Sequence, residues 1–271
     1  MSFYTSLSGL RAAQTDLGVI AHNIANAETT GFKKSDTQFA DLVAGGAASD
    51  PRMMKGIGVA VSAIAQNFSL GAVEQTGNVT DLAITGDGFF AVRGGESGKT
   101  AFTRNGAFML DQGGFVHDGA GNRLQMIAAD GSGNPVASGA TADTRLPLVN
   151  PAGADLAGVT IGKDGTISAA YADGAVTNVG RVALASFTSP AGLRPLGNSK
   201  WEASGLSGAP EIGFPGGGRN GTLLSGALER SNVDLAEEMV GLISAQRNFQ
   251  ANAKAIDTAS QLSQTIINLR T

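Results

Sequence analysis

The predicted fold class is α+β, with long N- and C-terminal α-helices, a coiled-coil-like pair, flanking a central antiparallel β-rich domain. Three observations predict it. Near the C-terminus Leu235, Met239, Leu242, Gln246, Phe249, Ala253 and Ile256 step by four and three, and apolar residues resume at Leu262, Ile266 and Leu269. The N-terminus repeats the pattern at Phe3, Leu7, Leu10, Gln14, Leu17, Ala21 and Ile24. Between them, the dipeptides Asp87-Gly88, Asn105-Gly106, Asp130-Gly131, Asp164-Gly165 and Asp173-Gly174 punctuate short apolar alternations, as hairpin turns do.

The N-terminal segment carries only two charges before Glu28, Arg11 and Asp16, and Gly31 stands where a helix would stop. Residues 35–71 lack long periodicity and read as an extended connector. Within it Gln38–Leu42 suits a helical turn, Gly45–Arg52 a loop and Ile57–Phe68 a strand. Strands are expected at Leu82–Thr85, Phe89–Arg93, Ala101–Arg104, Ala107–Leu110, Asn122–Ile127, Val159–Gly162, Thr166–Ala170 and Val179–Phe187. Spacing near ten residues with no strand–helix alternation marks an antiparallel domain over 72–230. Residues 128–157, rich in Ala, Gly and Pro, read as a loop insertion, and Gly216-Gly217-Gly218 as a joint before the last helix.

In that helix Asp234 takes the N-cap position, with Glu237 and Glu238 at the positive end of the dipole. Some 36 residues at ~1.5 Å each make a rod of roughly 54 Å. Beyond its first turns the charges are Arg247, Lys254, Asp257 and Arg270, with Ala, Ser, Asn, Gln and Thr on the remaining faces. A helix so sparsely charged suits surroundings of other helices better than water. Residues 1–34 and 231–271 are therefore read together as a terminal helical domain, because the ends of compact domains often lie close.

Composition narrows the function. A net charge of −4 argues against nucleic acid or an anionic membrane as partner, and the absence of cysteine excludes disulfides and thiolate chemistry. No apolar stretch is long enough to span a bilayer and no basic n-region precedes the first helix, which leaves cytoplasmic residence or export without a cleavable signal. Gly94–Thr100 imitates a phosphate loop, but Arg93 replaces its first glycine and a strand follows, so a hairpin is expected. His22 has no second histidine nearby. Asp130, Ser132 and Asn134 open like a calcium loop, but Pro135 stands where its glycine belongs. Asp111 and Asp118 read as turn carboxylates, and Arg104 as an interface anchor or a rim charge. No nucleophile, base and orienter assemble, so no enzyme, cofactor or metal is expected.

The stretch Asn23-Ile24-Ala25-Asn26-Ala27-Glu28-Thr29-Thr30-Gly31-Phe32-Lys33 resembles the signature of the bacterial flagellar rod and hook proteins. Asp81–Ile84, Gly88–Phe90, Thr103–Gly106 and the run from Ser231 through Phe249 resemble the same family, and the two extreme ends are most similar to its hook members. The layout departs from them, because a large outer domain often follows the segment matching Leu124–Ile127 and only the 128–157 insertion stands here.

The resemblance implies a hook subunit that self-assembles into a helical tube and carries torque, with a distal rod subunit as the alternative. It further implies signal-less export by the flagellar type III apparatus to a position outside the cell. Rod, hook-cap and hook–filament junction proteins would be its neighbours, with no nucleic acid or membrane partner. The expected polymer contacts are Leu7, Leu10, Leu17, Ile24, Leu242, Phe249, Ile256, Leu262, Ile266 and Leu269. From another class, a ligand-binding or hydrolytic β-domain protein with helical flanks is the remaining reading.

Overall fold

A computed structural model describes residues 2–44, 55–95, 98–128 and 141–268. Outside the described residues lie the expected contact Leu269, Arg270, the expected loop Gly45–Arg52, the calcium-loop mimic at 130–134, Glu96 and Ser97, and residues 129–140 of the 128–157 insertion. The chain divides into two compact units: Met1–Ala27, Lys34–Asn67 and Val233–Thr271 form the first, Glu28–Lys33 and Phe68–Asn232 the second.

The first unit holds helix α1 (Ser2–Ala25), the antiparallel strands β1 (Ser35–Ala44) and β2 (Lys55–Gln66), and helix α2 (Leu235–Asn268). Asp234 caps α2 as its spacing predicts, its Oδ1 accepting from the Ala236 and Glu237 amides at 2.8 and 3.3 Å. No proline interrupts the helix, whose 34 residues span about 51 Å.

The two helices run antiparallel. A Cβ placed on Gly9 would meet the Asn252 amide at 2.6 Å, one on Gly241 lies 3.5 Å from Ile20 Cδ1, and Asn23 bonds Glu238. On the other side of α1, Ser8 Oγ accepts from the Val59 amide at 3.2 Å, and a Cβ on Gly58 would strike that hydroxyl. Residues 35–66 are thus a hairpin laid on α1 rather than an extended connector. Gln38–Leu42 is strand, not a helical turn, because its backbone groups pair with Gly58–Ala63.

The second unit is β-rich. Its strands are β3 (Val73–Gln75), β4 (Leu82–Thr85), β5 (Phe89–Gly94), β6 (Thr100–Thr103), β7 (Phe108–Leu110), β8 (Val116–Asp118), β9 (Asn122–Ala128) and β10 (Ala142–Asp143). They continue as β11 (Leu156–Ile161), β12 (Thr166–Tyr171), β13 (Val176–Val182), β14 (Leu184–Ser186), β15 (Arg194–Gly197), β16 (Lys200–Glu202), β17 (Glu211–Gly213), β18 (Thr222–Ser225) and β19 (Ala227–Glu229). Each pairing is antiparallel, and the main sheet runs β11-β12-β13-β9-β5-β6-β16-β15.

Its centre is covered on both faces. Phe90, Val92, Leu124, Val182 and Leu184 enter one core, while Phe89, Ala91, Ile127, Ala183 and Ala185 enter a second beside Trp201. Alternate residues of a strand point to opposite faces, so the continuous apolar runs of β5 and of β13–β14 are what two-sided burial requires.

Three expectations change here. The glycine run 216–218 lies in a turn between β17 and β18, where Gly216 donates to Gly221 O at 2.9 Å, and two more strands precede α2. Gly31 lies beyond the end of α1. It keeps φ +68° because a Cβ there would lie 2.5 Å from the Asn105 nitrogen, a close approach rather than a helix stop. The insertion also stays on the domain in its described part, since β10 pairs with β9 and Leu146 is fully buried in the first core.

Candidate functional site: the terminal helices and a buried charge triad

Apolar side chains on the two helices fall into two environments. Leu7, Leu10, Leu17 and Ile24 on α1 and Leu242, Phe249 and Ile256 on α2 are half-buried within their own unit. Leu262 and Ile266 are 61% and 65% exposed. Along α2 the sheltered positions are Glu238, Gly241, Leu242, Ala245, Phe249, Asn252, Ala253, Ile256 and Ala259. That stripe keeps the four–three rhythm and includes Ala253 as expected, but Met239 and Gln246 lie outside it, with their neighbours Glu238 and Ala245 buried instead. Met239, Val240 and Ile243 face outward instead, as do Phe39 and Ile64 on the hairpin. So much exposed apolar surface on one unit suits contact with other chains.

A polar knot ties this unit together. Asn23 is 1% exposed; its Nδ2 donates to Ser35 O at 2.9 Å and to Glu238 Oε2 at 3.1 Å, and its Oδ1 accepts from the Ser35 amide at 3.0 Å. One side chain thereby joins α1, β1 and α2, and every strong group on it is satisfied.

The second unit contains a triad of charges. Lys33 and Glu229 side chains are wholly buried and that of Arg104 is 3% exposed. Lys33 Nζ donates to Glu229 Oε1 at 2.5 Å and to Ser69 O at 2.6 Å. Arg104 Nη1 donates to Glu229 Oε2 at 3.2 Å, and Nη2 to Gly86 O at 2.8 Å. The Gly71 amide donates to Glu229 Oε1 at 3.0 Å.

Burial pushes the Lys33 ammonium below its ordinary value, with the Glu229 carboxylate pulling the other way, and Arg104 is depressed for the same reasons. Lys33 closes the segment that follows α1, and Glu229 ends β19 just before α2. The triad therefore lies wholly within the second unit and draws on three separate stretches of its chain. Arg104, expected as an interface anchor or a rim charge, is a buried partner of Glu229.

Sequence reasoning missed Lys33 and Glu229. Nothing local distinguishes buried Lys33 from Lys34 next to it, whose side chain is 16% exposed and reaches the exposed Glu237 at 3.4 Å.

The other chemical suspects resolve into turns. Gly94 donates to Lys99 O at 3.0 Å, closing the β5–β6 hairpin where a phosphate loop was imitated. Asp111 Oδ1 accepts from the Gly113 and Phe115 amides, and Asp118 Oδ1 from those of Ala120 and Asn122. Among the described residues no group of three or more His, Asp or Glu side chains could hold a metal, and no helix is long and apolar enough to cross a membrane.

Paired terminal helices bearing outward apolar residues, on a chain whose middle is a β unit, describe an assembly protein. Family comparison agrees over three segments. Residues 3–33 match the "Flagella basal body rod protein" family, 83–169 the "Flagellar hook protein FlgE/F/G D1 domain" and 224–269 the "Flagellar basal body rod FlgEFG protein C-terminal".

This chain belongs to the flagellar rod and hook family, whose members are structural components and not enzymes. It is 36% identical over 280 positions to the flagellar basal-body rod protein FlgG of Bacillus subtilis, covering 99% of this chain and 98% of that protein. With FlgG of Agrobacterium fabrum it shares 32% identity, covering 96% and 95%. The flagellar hook protein FlgE of Salmonella typhimurium is 27% identical, with both chains fully covered across 411 aligned positions.

Proposed function

We propose that this chain is a subunit of the distal rod of the flagellar basal body, which polymerises through its terminal helical unit into a torque-bearing tube. The observation that carries this reading is collinearity. Proteins named FlgG align with it over 272 to 282 positions, close to its own 271 residues, whereas the hook protein needs 411. The return of residues 141–146 to the β unit supports the same reading, since only twelve residues between β9 and β10 lie outside the description. A hook subunit is the second reading, favoured by full-length alignment to FlgE and by the hook-like ends.

In either role α1 and α2 act as a coiled-coil-like pair on the inner wall. Leu7, Leu10, Leu17, Ile24, Leu242, Phe249 and Ile256 hold the wall together, and Leu262, Ile266 and Leu269 reach neighbouring copies. Contacts that do not close on themselves generate an open helical filament. The chain travels unfolded through the flagellar type III apparatus, which its lack of cysteine allows, and ends outside the cell. Rod proteins, and on the second reading the hook-cap and hook–filament junction proteins, are its neighbours; nucleic acid and membrane are not.

Gold-labelled antibody on purified hook–basal bodies tests the assignment. Label on the straight shaft below the hook is expected. Label along the hook itself overturns the distal-rod reading in favour of the second, and label on neither overturns both.

A further inference from the structure

The buried triad carries an imbalance: two cations, Lys33 and Arg104, share one carboxylate, Glu229. Burying net charge is costly unless something answers it. Beside the triad lies a small cleft of about 190 Å³, walled by the rings of Phe68, Phe89 and Phe187 and reached by Arg104 and Arg219. Arg104 leaves its buried Nε without a hydrogen-bond partner, and Arg219 is exposed and forms no ion pair among the described residues. Asp87 borders the same cleft, and its carboxylate attracts Arg104. Among the residues lining this cleft, Arg104 and Arg219 stand against the one carboxylate of Asp87, with Glu211 bordering the adjoining cleft that Arg219 also lines.

We propose that this cleft is a socket for one carboxylate side chain, an Asp or Glu presented by a second copy of this chain. The volume suits a single side chain rather than a larger ligand. Aromatic walls thin out the water there, which strengthens attraction between a cation and a carboxylate, and Arg219 supplies a second positive charge beside that of Arg104. A polymer of a chain with net charge −4 supplies acidic groups in abundance. The proposal rests on the polymer reading for its occupant but not for the cleft, so the two are tested separately.

Trp201, the single tryptophan, is 2% exposed and packs edge-on against Phe68 and Phe89 at 5.4 and 5.7 Å, so its fluorescence reports on the cleft wall. In the dilute full-length chain, sodium acetate titrated against sodium chloride at equal ionic strength should change Trp201 emission saturably. Arg219→Ala should abolish that change and Arg219→Lys retain it, with unaltered melting temperatures because the side chain is exposed. In concentrated protein, Arg219→Ala should raise the critical concentration for tube formation roughly ten-fold, and Arg219→Lys should largely restore it.

An acetate response with an unchanged critical concentration overturns the second copy as occupant. Absence of the acetate response together with an unchanged critical concentration overturns the socket itself. Wild-type protein that forms no tubes at any concentration overturns the occupant through the polymer reading, while the acetate arm still decides the socket.

Discussion

Asn23 and Glu238 stand 215 residues apart in sequence, yet the Asn23 amide donates to the Glu238 carboxylate at 3.1 Å in a buried contact. The same side chain makes two bonds to the backbone of Ser35. The first helix, the last helix and the strand leaving the first are thus held at one point. A buried polar group with all its partners in place specifies a single arrangement in a way that an apolar contact does not.

Asn23→Ala is expected to destabilise the helical unit by about 2–4 kcal/mol, because the Glu238 carboxylate and both polar groups of Ser35 lose a buried partner. Urea melts followed by helical circular dichroism should show the loss. Trp201 fluorescence, which reads the other unit, should keep its midpoint.

Breaking the charge triad should have unequal effects at its two ends. Glu229→Gln leaves two cations without their carboxylate and should cost about 3–5 kcal/mol, whereas Lys33→Met leaves a one-to-one pair and should cost less. Denaturation followed at Trp201 ranks the two variants. A larger loss in Lys33→Met would refute the role given to Glu229.

The pH dependence follows from the lowered Lys33 value. The unfolded chain keeps the lysine proton up to about 10.5, while the folded chain releases it earlier. Between those points the unfolded state binds more protons, so this residue's contribution to stability rises with pH. Comparing melts at about pH 7 and about pH 10, wild type should gain stability relative to Lys33→Met across that window. A relative loss would contradict the sign.

Two substitutions on α2 should separate folding from assembly. Phe249 is half-buried within its own unit, so Phe249→Asp should lower the helical melting midpoint as well as block tubes. Ile266 is 65% exposed, so Ile266→Asp should change monomer stability by no more than about 0.5 kcal/mol and still block tubes. Negative-stain microscopy beside thermal melts distinguishes the pair.

Local chemistry alone determined the helices, most of the strands between Leu82 and Phe187, and the hairpin turns at Asp164-Gly165 and Asp173-Gly174. Asp87-Gly88 and Asn105-Gly106, expected as hairpin turns too, instead join strands that pair elsewhere, β4 with β18, β6 with β5 and β16, and β7 with β8, because remote strands compete for those edges. Heptad spacing, an Asp at the N-cap and Gly-containing turns all act within a few residues, so they show in the order of the side chains. The strands β15 to β19 did not show, because each has three or four residues and is defined by its partner. β18 pairs with β4, and β19 with β3, across some 140 to 155 positions.

Only the tertiary structure decided which helical stripe faces inward, that residues 35–66 fold as a hairpin against α1, and that Lys33 meets Glu229 and Arg104. Those outcomes depend on contacts between remote segments, and burial of a lysine is set by what arrives over it from 196 residues away.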